Sequence, residues 1–259
     1  MFFNTDIFYN ALGSPKTGVV TEVVLHDIVD STSTDLMKRL GAGASAGTAV
    51  IAARQTGGRG RSGNSWHSAN DQNLYISYAI EISGNIADRL PLVPLAAGIA
   101  AVAALQKEGI SAVLLKWPND LLLNDKKVGG ILCETPGIEN DRAVAVVGMG
   151  INIGAQAFPQ DLQHIAAFLT PSADAVHVRE RLSATWIRSL YHWCQLIMND
   201  GVAELITHWK MCCEPFGRYV RVGDVTGYTL DLNDAGRLLL KTDQGEICTV
   251  PGGMVIHLD

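Results

Sequence analysis

The run RAVAVVGMGINI, at 142–153, restricts the fold of this chain more than any other stretch. It is almost wholly apolar, and such a run is typical of a central strand that is buried on both faces of a sheet. Six further strand-like runs lie at 18–30, 48–56, 73–82, 112–117, 120–125 and 126–135. The run at 73–82 has apolar residues at alternate positions, which predicts a strand with one buried face.

Helical signals separate these strands. Three segments predict helices: 31–43, 91–109 and 178–200. The first helix begins at a cap from Ser31, Thr32 or Ser33 and ends at Gly41. The second helix is alanine-rich and is expected to be buried. The third places its tryptophans at helical spacing, so we expect them to belong to the core. A shorter helix is predicted near 202–213.

The pattern of the chain changes near residue 214. From there to residue 259, short β runs alternate with turn signals, which is typical of a small β-barrel or sandwich. The sequence therefore predicts a large domain at 1–213 and a small β domain at 214–259.

The composition disfavours several classes of protein. The formal net charge is −6, whereas a protein that holds DNA by general electrostatics is usually basic. The apolar stretch 91–105 is about one turn short of a membrane span and contains two prolines and a glycine. The N-terminus has no basic start and is a poor signal peptide. With five scattered cysteines and no CxxC pair, we expect a cytoplasmic protein that binds neither DNA nor membranes.

The segment QTGGRGRSGNSW, at 55–66, combines four glycines with two arginines. Glycines let backbone N–H groups approach an anion closely, and Arg59 and Arg61 can each form two hydrogen bonds to a phosphate or carboxylate. Trp66 offers a flat face for a purine. The pattern matches neither a P-loop nor a dinucleotide fingerprint, and by itself an ordinary surface turn remains an alternative.

Three later segments add candidate ligand groups. KWPND supplies Lys116, Asn119 and Asp120, whose oxygens can bind a nucleotide or Mg²⁺. KKVGG places Lys127 just before two strand glycines, where a ligand can come close to the backbone. GMGIN ends the apolar run with Asn152. Each of these signals is weak when it is considered alone.

In combination and in this order, DSTST, QTGGRGRSGNSW, NLYIS, KWPND, KKVGGILCE and VVGMGINI closely resemble the biotin–protein ligases. The resemblance is strong over residues 20–155, and the tail resembles the small β-barrel of that family. It implies an α+β fold, in which a mixed β-sheet is flanked by helices as in class II aminoacyl-tRNA synthetases, with a small C-terminal β-barrel. Fewer than 20 residues precede the first matching strand, so we expect the monofunctional form without an N-terminal DNA-binding domain or repressor function.

The resemblance implies a two-step reaction that uses biotin, ATP and Mg²⁺. The biotin carboxylate attacks the α-phosphorus of ATP and gives biotinyl-5′-AMP and pyrophosphate. A lysine of a biotin carboxyl carrier protein, by default that of acetyl-CoA carboxylase, then attacks the mixed anhydride and releases AMP. A homodimer is left open, because family members pair through sheet edges.

The resemblance also implies roles for individual residues. The biotin contacts are Ser31, Thr32, Ser33, Gln55, Arg59, Gly60, Arg61, Lys127, Gly129 and Gly130. The ATP contacts are Arg61, Trp66, Lys116, Asn119, Asp120 and Asn152, with Asp120 as a candidate Mg²⁺ ligand. Arg59, Arg61, Lys116 and Lys127 are the expected catalytic residues.

The chain departs from the family pattern at two places. Ser62 and Asn64 stand where several members carry basic residues, so we expect weaker retention of the adenylate. Ser33 stands where the family often has Asn, and both side chains can form hydrogen bonds. The alternatives are a lipoate–protein ligase or octanoyltransferase of the same fold, and a non-catalytic biotin sensor.

Overall fold

The computed structural model describes residues 2–13, 18–68, 71–154, 157–169 and 177–258. The helices are α1 (Thr5–Leu12), α2 (Thr32–Gly41), α3 (Ile86–Arg89), α4 (Val93–Lys107), α5 (Val178–Met198) and α6 (Val202–Cys212). The strands are β1 (Glu22–Val29), β2 (Thr48–Gln55), β3 (Leu74–Ser83), β4 (Leu114–Lys116), β5 (Asp120–Leu123), β6 (Lys126–Glu134), β7 (Ile138–Glu139), β8 (Arg142–Ile151), β9 (Tyr219–Val222), β10 (Val225–Leu232), β11 (Leu238–Lys241), β12 (Ile247–Val250) and β13 (Val255–His257).

The first eight strands form one mixed sheet in the order β1-β2-β3-β8-β6-β5-β4, with β7 paired to β8. β1 and β2 are parallel and the other pairs are antiparallel. β8 lies between β3 and β6, as its apolar sequence predicted. This arrangement confirms the mixed sheet with flanking helices.

β3 corrects one expectation, because it is buried on both faces rather than on one. Ala79 packs with Leu36 of α2 on one side of the sheet, whereas Ile76 and Tyr78 belong to the larger core on the other side. Between the alternating apolar positions, Ser77 and Ala79 are small and Tyr75 is large, and all three are buried, so the alternation did not reveal the helix packed on the second face.

The alanine-rich helix α4 lies inside the larger core. Small residues let it pack closely, and Trp186 of α5 is fully buried against it, with its indole N–H donating to the Ala97 carbonyl at 3.1 Å. The stretch 86–107 is long and apolar enough to cross a membrane by composition, but 61% of its apolar window is buried within the protein. The predicted tryptophan stripe is thus part of the core.

The last five strands form an antiparallel sheet in the order β12-β11-β10-β9-β13. This sheet contacts the end of the large sheet that carries β4 and β5. The indole N–H of Trp117 donates to the carbonyl of Gly236 at 2.9 Å, and the backbone N–H of Glu214 donates to Leu115. The boundary between two domains at residue 214 stays a prediction.

Candidate active site

One cavity lies where α2 begins, beside the glycine loop, the β4–β5 turn and the middle of β6 and β8. Most of the predicted site residues line it: Ser31, Thr32, Ser33, Gln55, Arg59, Gly60, Arg61, Trp66, Lys116, Asn119, Asp120, Lys127 and Gly130. Segments up to 99 residues apart, from Ser31 to Gly130, therefore meet at one place, which the linear sequence alone does not establish.

Buried hydroxyl groups form one end of the cavity. Ser31 caps α2 by accepting from the Thr34 N–H, which brings the next two residues to the cavity wall. The Thr32 hydroxyl lies 2.8 Å from the Ser77 hydroxyl, and the Ser33 hydroxyl lies 2.9 Å from it. Because these groups are connected to one another, their orientations are restricted before any ligand arrives.

Gln55 connects this hydroxyl cluster to the glycine loop. Its side-chain oxygen accepts from the Thr32 backbone N–H at 2.8 Å, and its amide donates to the Ser68 hydroxyl at 2.9 Å. The Ser68 hydroxyl in turn donates to the carbonyl of Trp66 at 3.1 Å. The base of the loop is thus fixed to the start of α2.

The loop itself folds back as a tight hairpin. The Trp66 N–H donates to Gly58 at 2.8 Å, and the Gly60 N–H donates to Asn64 at 2.7 Å. A Cβ at Gly58 would lie 2.6 Å from both the Ser68 hydroxyl and the Trp66 carbonyl, so a larger residue would separate the two arms. The hairpin holds Arg59 and Arg61 in different environments.

Arg59 is exposed and forms a two-bond ion pair with Glu134 at the end of β6, with N–O distances of 2.9 and 2.5 Å. Arg61 is half-buried, lines the cavity and donates to the Asn119 side-chain oxygen at 3.1 Å. Burial lowers the pKa of Arg61 and the Asp120 carboxylate opposes this, but a guanidinium stays charged in proteins. Arg61 is therefore available to an anion in the cavity, whereas Arg59, which also lines the cavity, is already paired with Glu134.

Two lysines approach the cavity from β4 and β6, which lie on either side of β5. The Lys127 ammonium lies 2.6 Å from an Asp120 carboxylate oxygen, and it also lies over the Trp66 ring at 5.5 Å. Lys116 ends β4, and its pKa is lowered because it is partly buried, although Glu214 and Asp120 oppose this. Four cationic groups therefore line the cavity, and two of them, Arg59 and Lys127, are already paired with carboxylates.

Trp66 lies on a flat patch formed by two cross-strand glycines. Gly130 of β6 pairs with Gly150 of β8, and a Cβ at Gly150 would lie 2.6 Å from the indole ring. The indole nitrogen is buried and has no hydrogen-bond partner among the described residues. The structure therefore places Trp66 inside the cavity, and its predicted contact with adenine stays a prediction.

Two predicted ligand residues do not line the cavity. Gly129 is buried, and a Cβ there would lie 2.7 Å from the Leu121 side chain and 3.0 Å from the Gly150 carbonyl. Asn152 is also buried, and its side-chain amide donates to the Ala167 carbonyl at 3.0 Å. Asn152 therefore holds the 157–169 segment beside the site, and its contact with a nucleotide stays a prediction that this position does not support.

The sequence analysis did not identify Glu134, which pairs with Arg59 beside the cavity, or several residues that line the cavity. Glu134 was overlooked because a strand-end acid far from the loop gives no sign of its partner. Tyr75 and Met149 were assigned to apolar strands, although both line the cavity. Gly253, Met254 and Val255 reach the cavity from the second sheet, and the two glycines of PGGMVIHL were the available signal.

The residues present do not form a metal cage. Within the described ranges, no group of three His, Cys, Asp or Glu side chains is placed to hold a metal ion. Asp120, the candidate Mg²⁺ ligand, is instead paired with Lys127. A single carboxylate can still join Mg²⁺ that arrives on a polyphosphate, but the side chains in the described ranges do not supply the site alone.

Comparison with known proteins identifies relatives of this site. Residues 25–152 match the model of the biotin/lipoate A/B protein ligase family. A biotin–[acetyl-CoA-carboxylase] ligase from Paracoccus denitrificans is 35% identical over 240 residues, which cover 83% of this chain and 92% of the relative. The bifunctional ligase/repressor BirA of Escherichia coli is 33% identical over 225 residues, 85% of this chain and 70% of the relative.

The fold has a close counterpart among solved structures. Biotin protein ligase from Aquifex aeolicus, in complex with biotin and ATP, superimposes with a TM-score of 0.75 at 26% identity. The match covers 92% of this chain and 98% of that protein. Sequence and structure therefore point to the same group of relatives.

Proposed function

The chain belongs to the biotin protein ligases of the biotin/lipoate A/B protein ligase family, and we propose that it attaches biotin to a carrier lysine at the expense of ATP. The observation that carries the proposal is the meeting of three cations from separate segments in one cavity: Arg61, Lys116 and Lys127. Two anions must react in the first step, and their repulsion is reduced only where several cations surround both of them.

The hydroxyl end of the cavity suits the ureido ring of biotin. That ring offers two N–H donors and one carbonyl acceptor, and the cluster of Thr32, Ser33 and Gln55 offers both kinds of partner. The apolar atoms of Ile76 and Met149 lie nearby for the rest of the bicyclic ring. The pairing within the cluster fixes the ring and directs the carboxylate towards the cations.

The first chemical step joins the biotin carboxylate to the α-phosphorus of ATP. A carboxylate oxygen forms the new P–O bond while the bond to the β-phosphate oxygen breaks and pyrophosphate leaves. Arg61 is placed to hold the phosphate oxygens as charge builds on them, and the two lysines neutralise the polyphosphate. Mg²⁺ is proposed as the companion of ATP, and no step is assigned to it.

The glycine loop protects the product of this step. The biotinyl adenylate is a mixed anhydride that water hydrolyses, so a cover over the cavity is needed. The hairpin, the Arg59–Glu134 pair and the Arg61–Asn119 bond form such a cover.

The second step transfers biotin to a protein. The neutral amine of a carrier lysine attacks the anhydride carbonyl, an amide bond forms, AMP leaves, and the amine loses a proton to water. We propose the biotin carboxyl carrier protein of acetyl-CoA carboxylase as the acceptor, which the named function of the Paracoccus relative supports.

The test combines the protein with biotin, ATP, Mg²⁺ and a purified biotin carboxyl carrier domain, followed by intact mass measurement of the carrier. We expect the mass of one biotin, less one water, to be added only when ATP is present. A carrier whose acceptor lysine is replaced by arginine is the matched control. An unchanged carrier mass after incubation with the protein, biotin, ATP and Mg²⁺ would contradict the proposal.

A lipoate or octanoate ligase is the second candidate, because the matching family model includes both biotin and lipoate ligases. ATP–pyrophosphate exchange separates the two. Exchange that requires biotin supports the first proposal, whereas exchange that responds only to lipoate or octanoate supports the second. The absence of exchange with any acid, combined with measurable biotin binding, would indicate a biotin sensor.

A further inference from the structure

Glu214 lies beside β4 at the junction of the two sheets. Its backbone N–H donates to the Leu115 carbonyl at 2.9 Å, and Cys213 forms a parallel bridge with Leu115. The chain that leaves α6 therefore runs alongside the strand whose next residue is Lys116. This backbone pairing fixes the position of Glu214 independently of its side chain.

The carboxylate of Glu214 is mostly removed from water, with 15% of the side chain exposed. One oxygen lies 3.2 Å from Nε2 of His257, the last residue of β13. The other oxygen is buried and has no hydrogen-bond partner in the described part of the chain. A buried carboxylate oxygen without a donor is costly unless a nearby cation compensates for it.

Lys116 is a cavity-lining lysine that forms no ion pair within the described residues. Four charged groups act on it: Glu214, Asp120, Lys127 and Arg218. Burial lowers the pKa of Lys116, Lys127 and Arg218 lower it further, and Glu214 is the strongest of the two acids that raise it. Asp120 already pairs with Lys127 at 2.6 Å, so Glu214 remains to balance Lys116.

We propose that Glu214, fixed by His257, is the positioning residue of Lys116, which keeps the ammonium group charged and held at the cavity wall. The proposal rests on the proposed function, because the task of Lys116 is then to hold the polyphosphate of ATP. The proposal also gives the second sheet a role in the reaction, because His257 of β13 contacts the Glu214 carboxylate and Glu214 acts on Lys116.

The first test measures the reactivity of Lys116 in the protein without substrates. An amine reacts with acetic anhydride only in its neutral form, so removing a nearby negative charge should increase the rate at a fixed mildly alkaline pH. Glu214→Gln should raise the acetylation rate of Lys116 several-fold, measured by peptide mass spectrometry, with exposed Lys126 as the internal reference. His257→Leu should act in the same direction, and Glu204→Gln, an exposed acid on α6, should have no effect.

The second test measures adenylate formation. Glu214→Gln should raise the KM for ATP about tenfold, because Lys116 would lose the acid that positions it, a loss of about 1.4 kcal/mol of binding free energy. The KM for biotin should not change, because the hydroxyl cluster is untouched, and Glu214→Asp should recover part of the loss. Equal thermal unfolding of the variants would exclude a general loss of structure.

An unchanged acetylation rate in Glu214→Gln would overturn the proposal, as would equal increases of both KM values. The acetylation test requires no catalysis. If the protein proved inactive with biotin and ATP, the proposed function would fail while the effect of Glu214 on the Lys116 amine would still be decided.

Discussion

Arg59 and Glu134, 75 residues apart in the chain, form two parallel hydrogen bonds that connect the tip of the glycine loop to the end of β6. Their side chains are 39% and 25% exposed, so the pair contributes about 1 kcal/mol or less to loop closure. Arg59 was expected to bind the biotin carboxylate and phosphate. In the structure its guanidinium pairs with Glu134, so we infer that Arg59 acts as a latch for the loop, and its contact with biotin stays a prediction.

This latch predicts a specific effect of Glu134→Gln. The loop should open more often, because the neutral amide forms a weaker bond to Arg59. Protease cleavage within 57–68 and the hydrolysis of bound adenylate should both increase a few-fold, with less effect on the rate of adenylate formation. Limited proteolysis and the release of labelled AMP measure the two quantities. Glu139→Gln, an exposed acid on β7, is the control, and equal results for the two variants would contradict the latch.

Arg61 should behave differently, because it is half-buried and its bond is to the neutral Asn119 side chain rather than to a carboxylate. Arg61→Ala should slow adenylate formation by about a hundredfold, the scale for losing one donor to a transition state. Single-turnover measurement of biotinyl adenylate tests this, with exposed Arg221→Ala on β9 as the control. A near-normal single-turnover rate would show that Arg61 does not act on the phosphate.

The different behaviour of these two arginines shows where prediction from the sequence ends. Periodicity located the long helices and the central strand, because each of these depends on which residues must avoid water. The partner of Arg59 depends on how β6 and the loop are brought together, and no local pattern records that. The same limit applies to Gly253 and Val255, whose contribution depends on the packing of one sheet against the other.

The burial of the second face of β3 was not predicted, for a related reason. Its intervening positions, such as Ser77 and Ala79, are small or polar, and a pattern method assigns such residues to solvent. In the structure Ser77 is fully buried because its hydroxyl meets those of Thr32 and Ser33. Buried polar residues follow the requirements of the site rather than the rule of alternation.

The hydroxyl cluster predicts a selective loss of biotin affinity. Thr32→Val preserves the shape of the side chain but removes its hydroxyl contacts with Ser77 and Gln55. A buried polar group left without its partner costs about 1–3 kcal/mol, so biotin affinity should fall about tenfold. Isothermal titration with biotin measures this. The control is Thr34→Val, in the same turn of α2 but outside the cavity lining, and this variant should bind biotin normally. Equal biotin affinities of the Thr32→Val and Thr34→Val variants would contradict the role of Thr32.

Asp35 predicts a dependence of stability on pH. Burial raises its pKa, but hydrogen bonds from Arg39 and His26 outweigh burial, so the pKa lies below its usual value. A depressed pKa stabilises the fold above the unfolded value near 3.9, and this contribution is lost as the pH falls through the folded pKa. Asp35→Asn should therefore lower the free energy of unfolding by about 1 kcal/mol or less at neutral pH.

Chemical denaturation at neutral pH and below about pH 3 tests this prediction, because the difference from the unsubstituted protein should disappear in acid. Asp27→Asn, an exposed acid on β1, serves as the control. A difference of the same size at both pH values would show that Asp35 stabilises α2 by packing rather than by charge.

Trp66 and Gly150 provide the sharpest test of the cavity itself. A methyl group at Gly150 would lie 2.6 Å from the indole, so Gly150→Ala must displace either the ring or the strand. Such overpacking costs about 1–3 kcal/mol, and if the ring moves, the loop opens with it. Gly150→Ala should therefore lower the melting temperature, shift the tryptophan fluorescence to longer wavelength and reduce biotin-dependent exchange.

A double-mutant cycle assigns the cause of this effect. In a Trp66→Ala background, Gly150→Ala should cost much less stability, because the removed indole leaves space for the methyl group. Gly137→Ala is the matched control, since a Cβ there meets no atom within 4 Å. If the stability costs of Trp66→Ala and Gly150→Ala simply add, the indole does not rest on Gly150, and the position of Trp66 in the cavity is wrong. Strong coupling would instead establish that the loop closes by seating its tryptophan on the glycine pair of β6 and β8.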